Sequence, residues 1–300
     1  MDDRSYLAHR LRAGNVLVMT GAGLSTDSGL PDYRGPDGVR RVQPMTVAEF
    51  RAGAAARQRY WSRSYVGWTR FRTAEPNPAH DHLARLEGAG LLAATITQNV
   101  DGLAQRAGSR TVIELHGNLG RAICLDCRST VDREWVQREF TRLNPAFAAD
   151  AERARNLPLR PDGDVDIDES LIHDITLVHC PTCGSDLLKP DVVMFGESVP
   201  KPLVDHCFDL VAASRTLLVV GSSLGVMSGY RFARRAAALE VPIVLMNTGW
   251  SRAEEIATRH VHRPLREVLQ EAVWDVLGDV PGTDSGPESG GLIPGSSDPA

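Results

Sequence analysis

Asn15-Val16-Leu17-Val18-Met19-Thr20-Gly21-Ala22-Gly23-Leu24-Ser25 is the stretch on which the fold turns. An apolar run over 15–20 stops at a glycine turn, and the sequence from Ser25 onward is able to open a helix, so the pattern predicts strand, turn and helix. Further strand-like runs end at Thr97-Gln98-Asn99, at Gly221-Ser222-Ser223 and at Asn247-Thr248-Gly249, and helix-compatible sequence follows each, as over 230–240. Strands alternating with helices make a parallel α/β sheet. Ligands bind such sheets at the carboxyl ends of the strands, which is where all four polar or glycine-rich signals fall.

Working outward, two stretches break this rhythm. One is the aromatic and arginine-rich segment 40–72, the other the cysteine-bearing segment from about 121 to 188, and together they suggest an inserted second module. Within the latter, 158–169 holds two prolines and an acidic cluster and reads as a loop. The tail from 278 to 300 is too rich in Gly, Pro, Ser and Asp to repay its ordering entropy and is expected to be disordered. A chain of 300 residues with 42% hydrophobic residues allows one large domain with an insertion, or two domains.

The formal net charge of −5 offers no general attraction to nucleic acid or an anionic membrane, so neither is an expected partner. No run of 18 apolar residues occurs and the N-terminus lacks a signal-like apolar stretch, so a soluble, cytoplasmic protein is expected. In a reducing compartment Cys124-x-x-Cys127 and Cys180-x-x-Cys183 point to metal rather than disulfides. Four thiolates suit tetrahedral Zn²⁺ and leave no position open for a substrate, so one structural ion per chain is expected. The 52 residues between the pairs exceed the ~15–20 of a compact zinc ribbon. Cys207, in an apolar-periodic stretch, reads as a buried, inert thiol.

The glycine turn alone is compatible with phosphates approaching main-chain N–H groups, and equally with a purely structural turn. Thr26 stands where a third glycine would complete Gly-x-Gly-x-x-Gly, and no acidic residue lies about 20 positions on, which disfavours a dehydrogenase. Asn99 and Asp101 are two apart and share a face on an extended segment, so they can serve one ligand or cap a loop. Histidine alone titrates near neutrality unaided, and His116, in Glu114-Leu115-His116-Gly117, is the candidate base.

The whole stretch Gly21-Ala22-Gly23-Leu24-Ser25-Thr26-Asp27-Ser28-Gly29-Leu30-Pro31-Asp32-Tyr33-Arg34-Gly35 resembles the cofactor-binding signature of the sirtuins, NAD-dependent enzymes that transfer acyl groups from lysine to the ADP-ribose half of the cofactor. The resemblance continues through 97–103, His116-Gly117, both cysteine pairs, 189–197, 221–226 and 247–249, up to about Leu277. The class II branch is most similar, on the strength of 57–61, 76–80, Pro161-Asp162-Gly163-Asp164-Val165 and Ser228-Gly229-Tyr230-Arg231.

The resemblance implies a Rossmann-like parallel-sheet domain over 1–35, 76–119 and 189–277, with a smaller zinc-binding and helical module over 36–75 and 120–188. His116 would deprotonate a ribose hydroxyl after the acyl oxygen has displaced nicotinamide. Gln98, Asn99 and Asp101 would orient the nicotinamide ribose and carboxamide, with Val100 a further cofactor-binding residue and Asn99 and Asp101 part of the catalytic set. Gly21, Ala22, Gly23, Ser25, Thr26, Pro31, Asp32, Tyr33 and Arg34 would form the cofactor loop. Gly221, Ser222, Ser223, Asn247, Thr248 and Gly249 would hold the adenosine end, with Leu265 near the adenine. Val193, Phe195, Gly196 and Glu197 would pair with the substrate backbone as an added strand, although an ordinary core strand would look the same. Tyr60 and Arg63, three apart on a helix, have the spacing of a pair that holds an acidic acyl chain in desuccinylase-type sirtuins; a solvated basic face is the other reading. The expected partner is an acyl-lysine protein or peptide. A protein ADP-ribosyltransferase and a non-catalytic NAD or acyl-peptide sensor are the alternatives, the last disfavoured because a pure binder has no need of a base.

Overall fold

Strand β1 (Val16–Thr20) is buried along its whole length, and its side chains alternate between two cores. Val16 and Val18 face one, Leu17 and Met19 the other. A strand apolar on both faces is what the centre of a parallel sheet demands. The computed structural model describes residues 1–278, apart from 36, 155, 169–171 and 173. The expected disorder of the tail therefore lies outside the described residues, Gly278 excepted.

Around β1 stand β2 (Leu92–Thr97), β3 (Val112–Glu114), β7 (Thr216–Val220), β8 (Ile243–Met246) and β9 (Arg259–Val261), in the order β3-β2-β1-β7-β8-β9. Every pairing in this six-stranded sheet is parallel. The direction of winding reverses between β1 and β7, so a crevice opens at their carboxyl ends. Helices α1 (Asp3–Arg12), α4 (Pro78–Gly88) and α10 (Leu265–Leu277) cover one face through residues such as Leu7, Leu86 and Leu269. The other face is covered by α8 (Lys201–Ala213) and α9 (Met227–Ala238), which bury Cys207, Val211 and Phe232. Burial pushes the Cys207 thiol up to about 11, as expected of an inert cysteine.

A second, three-stranded antiparallel sheet holds β4 (Gly117–Cys124) between β5 (Thr130–Asp132) and β6 (Leu188–Val192). It packs with α2 (Val47–Arg51), α3 (Ala54–Arg72), α6 (Arg133–Leu143) and α7 (Pro145–Ala151) around a separate core that includes Phe50, Trp61, Val136 and Phe140. Both segments that broke the α/β rhythm thus contribute to one body beside the main sheet.

The helix expected from Ser25 does not form. Two single 3₁₀ turns, Ala22–Leu24 and Thr26–Ser28, stand there instead. The Leu24 carbonyl, which a helix would spend on residue 28, accepts from Asn77 Nδ2 at 2.8 Å. Gly29 then turns left-handed at φ 80°, and Pro31 has no amide hydrogen to continue a helix.

Candidate active site

The carboxyl ends of β1, β2, β7 and β8 open into a cavity of about 480 Å³ that is also walled by 30–35 and 192–199. Two glycine turns meet at its floor. A Cβ on Gly23 would stand 2.8 Å from the Gly221 carbonyl oxygen, and one on Gly221, at φ 61°, 2.4 Å from the Leu24 amide. Only glycine permits this approach, which leaves room at the strand ends for a ligand.

Asn99 and Asp101 do converge on one partner. Ser25 Oγ donates to Asp101 Oδ2 at 2.7 Å, and Asn99 Nδ2 lies 3.1 Å from both Ser25 Oγ and the Gly21 carbonyl. The second Asp101 oxygen accepts the Leu103 amide at 2.9 Å, where α5 (Leu103–Arg106) begins. Burial raises the Asp101 carboxyl above its ordinary value, against the hydrogen bonds that favour its ionised form. Gln98 Nε2 bridges the Thr20 carbonyl at 3.0 Å and Ser222 Oγ at 2.8 Å, tying β1, β2 and β7 together.

His116 lies where the chain passes from the main sheet into the small one. Its Nδ1 is 3.0 Å from the Gln98 carbonyl, and its Nε2 is 2.8 Å from Ser228 Oγ. Burial lowers its pKa from the ordinary value, so the neutral imidazole is favoured. Arg34 donates Nη1 to the Gly38 carbonyl at 2.7 Å and packs against Gly225, where a Cβ would stand 2.5 Å from its Nε. Asn247 Nδ2 closes its own turn on the Gly249 and Trp250 carbonyls at 3.0 and 3.2 Å.

Most of the expected site residues line this one cavity, from Gly21, Ala22 and Gly23 to Asn247, Thr248 and Gly249. Three do not. Thr26 is exposed and spends its hydroxyl on the Gly23 carbonyl at 3.0 Å. Leu265 packs beside Gly221 against the α10 core and is not part of the cavity lining. Arg63 turns away from Tyr60: its Nε donates to the Val165 carbonyl at 3.1 Å and its terminal nitrogen pairs with Asp166. Tyr60 is buried against Phe50 and Trp61. The expected carboxylate-holding pair is therefore not assembled.

The segment after β6 is also more engaged than an open strand edge. The Val193 amide donates to the His116 carbonyl at 2.8 Å and the Phe195 carbonyl accepts from Val47 at 2.9 Å. Glu197 turns its carboxylate inward to buried Lys189 at 3.0 Å and to the Met194 amide at 2.8 Å. Ser228 received no role from the sequence, although it opens the Ser228–Arg231 signature. Its place in the first turn after a strand-end loop was the available signal.

The cysteine pairs meet. All four Sγ atoms lie within 4.8 Å of one another, with Cys124–Cys183 at 3.6 Å and Cys127–Cys180 at 3.7 Å. A tetrahedron of Zn–S bonds of about 2.3 Å needs sulfurs about 3.8 Å apart, so the residues fit zinc.

The sequence pattern of the Sir2 family matches residues 21–228. "NAD-dependent protein deacetylase 1" of Streptomyces coelicolor is 46% identical over 268 residues, 89% of this chain and 88% of its own length. "NAD-dependent protein deacylase Sirt4" of Drosophila melanogaster is 44% identical over 81% of this chain and 77% of its own length. The solved complex "Sir2-p53 peptide-NAD+" superposes with a TM-score of 0.70 at 29% identity, covering 93% of this chain and 99% of that one. A family pattern across most of the chain, close relatives along nearly its full length and the fold of solved members make this chain a member of the Sir2 family.

Proposed function

We propose that this protein is an NAD-dependent protein-lysine deacylase, with deacetylation as its basic activity. The observation that carries the reading is His116: a half-buried imidazole, held at both ring nitrogens and favoured in its neutral form, at the wall of the cavity that Asn99 and Asp101 also line. NAD, when bound, supplies an anomeric carbon that becomes electrophilic as nicotinamide leaves. The chain's own residues do the rest. His116, with its proton on Nδ1, offers Nε2 as the base for a ribose hydroxyl. Asn99 and Asp101, fixed on Ser25, orient polar groups of the nicotinamide half, and Arg34 closes the loop above them. Gly221–Ser223 and Asn247–Gly249 admit the adenosine half, and the segment 193–197 receives the acyl-lysine backbone. Cys124, Cys127, Cys180 and Cys183 hold zinc as structure, since an all-thiolate shell leaves no reactive position.

We keep the class II assignment as part of this reading, on the motifs 161–165 and 228–231. The test incubates the protein with NAD and a panel of acyl-lysine peptides and follows nicotinamide and acyl-ADP-ribose by mass spectrometry. Acyl-dependent nicotinamide release with matching acyl-ADP-ribose is expected. Release of nicotinamide with ADP-ribose left on a protein, and no deacylation, would establish the transferase instead.

A further inference from the structure

Helix α9 starts at the cavity wall, and its first turn packs directly on the residue that anchors His116. At Gly229 a Cβ would stand 2.4 Å from Gln98 Oε1, so this turn sits as close to Gln98 as glycine allows. The Gln98 carbonyl can only accept, which places the imidazole proton on Nδ1 and leaves the lone pair on Nε2. That lone pair meets Ser228 Oγ at 2.8 Å, with the hydroxyl as donor. The ring is thus held at both nitrogens, by the end of β2 on one side and the start of α9 on the other. Arg231, three residues on and lining the same cavity, opposes protonation of His116.

We propose that Ser228 is a positioning residue: its hydroxyl completes a two-point hold on the His116 imidazole and keeps Nε2 aimed into the cavity. The inference rests on the reading of His116 as the base. Without the hydroxyl, the ring keeps only the Gln98 anchor and can swing about its Cβ–Cγ bond. Fewer molecules then present Nε2 correctly, while the surfaces that bind NAD and peptide stay as they were.

The experiment compares the zinc-loaded full chain with Ser228→Ala, Ser228→Thr and His116→Ala. Turnover, peptide KM and the NAD dissociation constant are measured, and the imidazole nitrogens are observed by NMR. One neutral hydrogen bond corresponds to about 2–10-fold in an equilibrium, so kcat of Ser228→Ala should fall by about that factor. KM and NAD affinity should stay unchanged, and Ser228→Thr should restore kcat. The nitrogen signals should show the Nδ1-protonated tautomer in the parent, and the Nε2 signal should shift in Ser228→Ala as its hydrogen bond is lost. An unchanged kcat in Ser228→Ala overturns the proposal, as does a loss of NAD affinity equal to the loss of kcat. If Ser228→Ala does not fold, the parent spectrum decides, and mixed tautomers there refute the two-point hold. Normal turnover in His116→Ala would instead remove the base reading on which this one stands, so the two failures are distinguishable.

Discussion

At the scale of single residues, the His116 environment joins chemistry to pH. Desolvation of its half-buried imidazole outweighs the Gln98 hydrogen bond, which favours the protonated ring, so the ring stays unprotonated to lower pH than a free histidine at 6.5. The sign follows: a base with a depressed pKa remains competent as pH falls below its ordinary value, and the acid limb of kcat is expected below 6.5. His116→Ala should retain NAD binding, measured by calorimetry, and lose turnover by ~10²–10⁴-fold, the usual contribution of a general base. Deacylation within ~10-fold of the parent would exclude His116 from the chemistry.

Elements carry the next two expectations. Helix α4 starts with Pro78 after an Asn77 cap, and His80 Nδ1 reaches back to the Asn77 amide at 3.3 Å. Burial lowers the His80 pKa from 6.5 to about 4. The folded chain therefore refuses a proton that the unfolded chain takes up, so stability held above pH 6.5 is lost as pH falls toward 4, by up to about 3 kcal/mol. Glutamine at the same helix position can keep the cap. Thermal unfolding of His80→Gln should accordingly show a shallower decline between pH 7 and 5, and identical slopes would dismiss His80 as the source. The loop over 158–166 is the second case. Arg63 on α3 holds it through the Val165 carbonyl and Asp166, and Arg160 pairs with Asp166 at 2.8 Å. Replacing Arg63 by Met should loosen the loop and reduce turnover of acetyl-, succinyl- and glutaryl-lysine peptides alike. A selective loss on the acidic acyl groups would reinstate Arg63 as a determinant of acyl choice.

For the molecule as a whole, the two cysteine pairs set the cooperativity. Cys124 ends β4, while Cys180 and Cys183 lie just before β6, so the metal joins two strands separated by the long 128–179 excursion. Structural zinc contributes on the order of 10–16 kcal/mol of binding free energy that is also folding free energy. One zinc per chain should survive purification, and the Cys124→Ser/Cys127→Ser double variant should lose both the metal and the small sheet by circular dichroism. Fresh protein free of zinc by elemental analysis, or a double variant of full thermal stability, would refute the site.

What could be read along the chain was whatever local chemistry dictates. Apolar runs ending on glycine required a parallel sheet with its ligands at the strand ends, and two Cys-x-x-Cys pairs required a metal, because those spacings act over a few residues. Tertiary structure decided the rest. Ser25 looked like a helix start, but Asn77, 52 residues away, takes the carbonyl the helix would have used. Tyr60 and Arg63 shared a helix face, yet a loop a hundred residues on supplied Arg63 with its partners, Val165 and Asp166. Ser228 could be seen in the sequence but not assigned, because its partner His116 comes from another strand end. Side-chain direction depends on partners that only folding brings within hydrogen-bond reach, whereas strand period and thiolate spacing are written in consecutive residues.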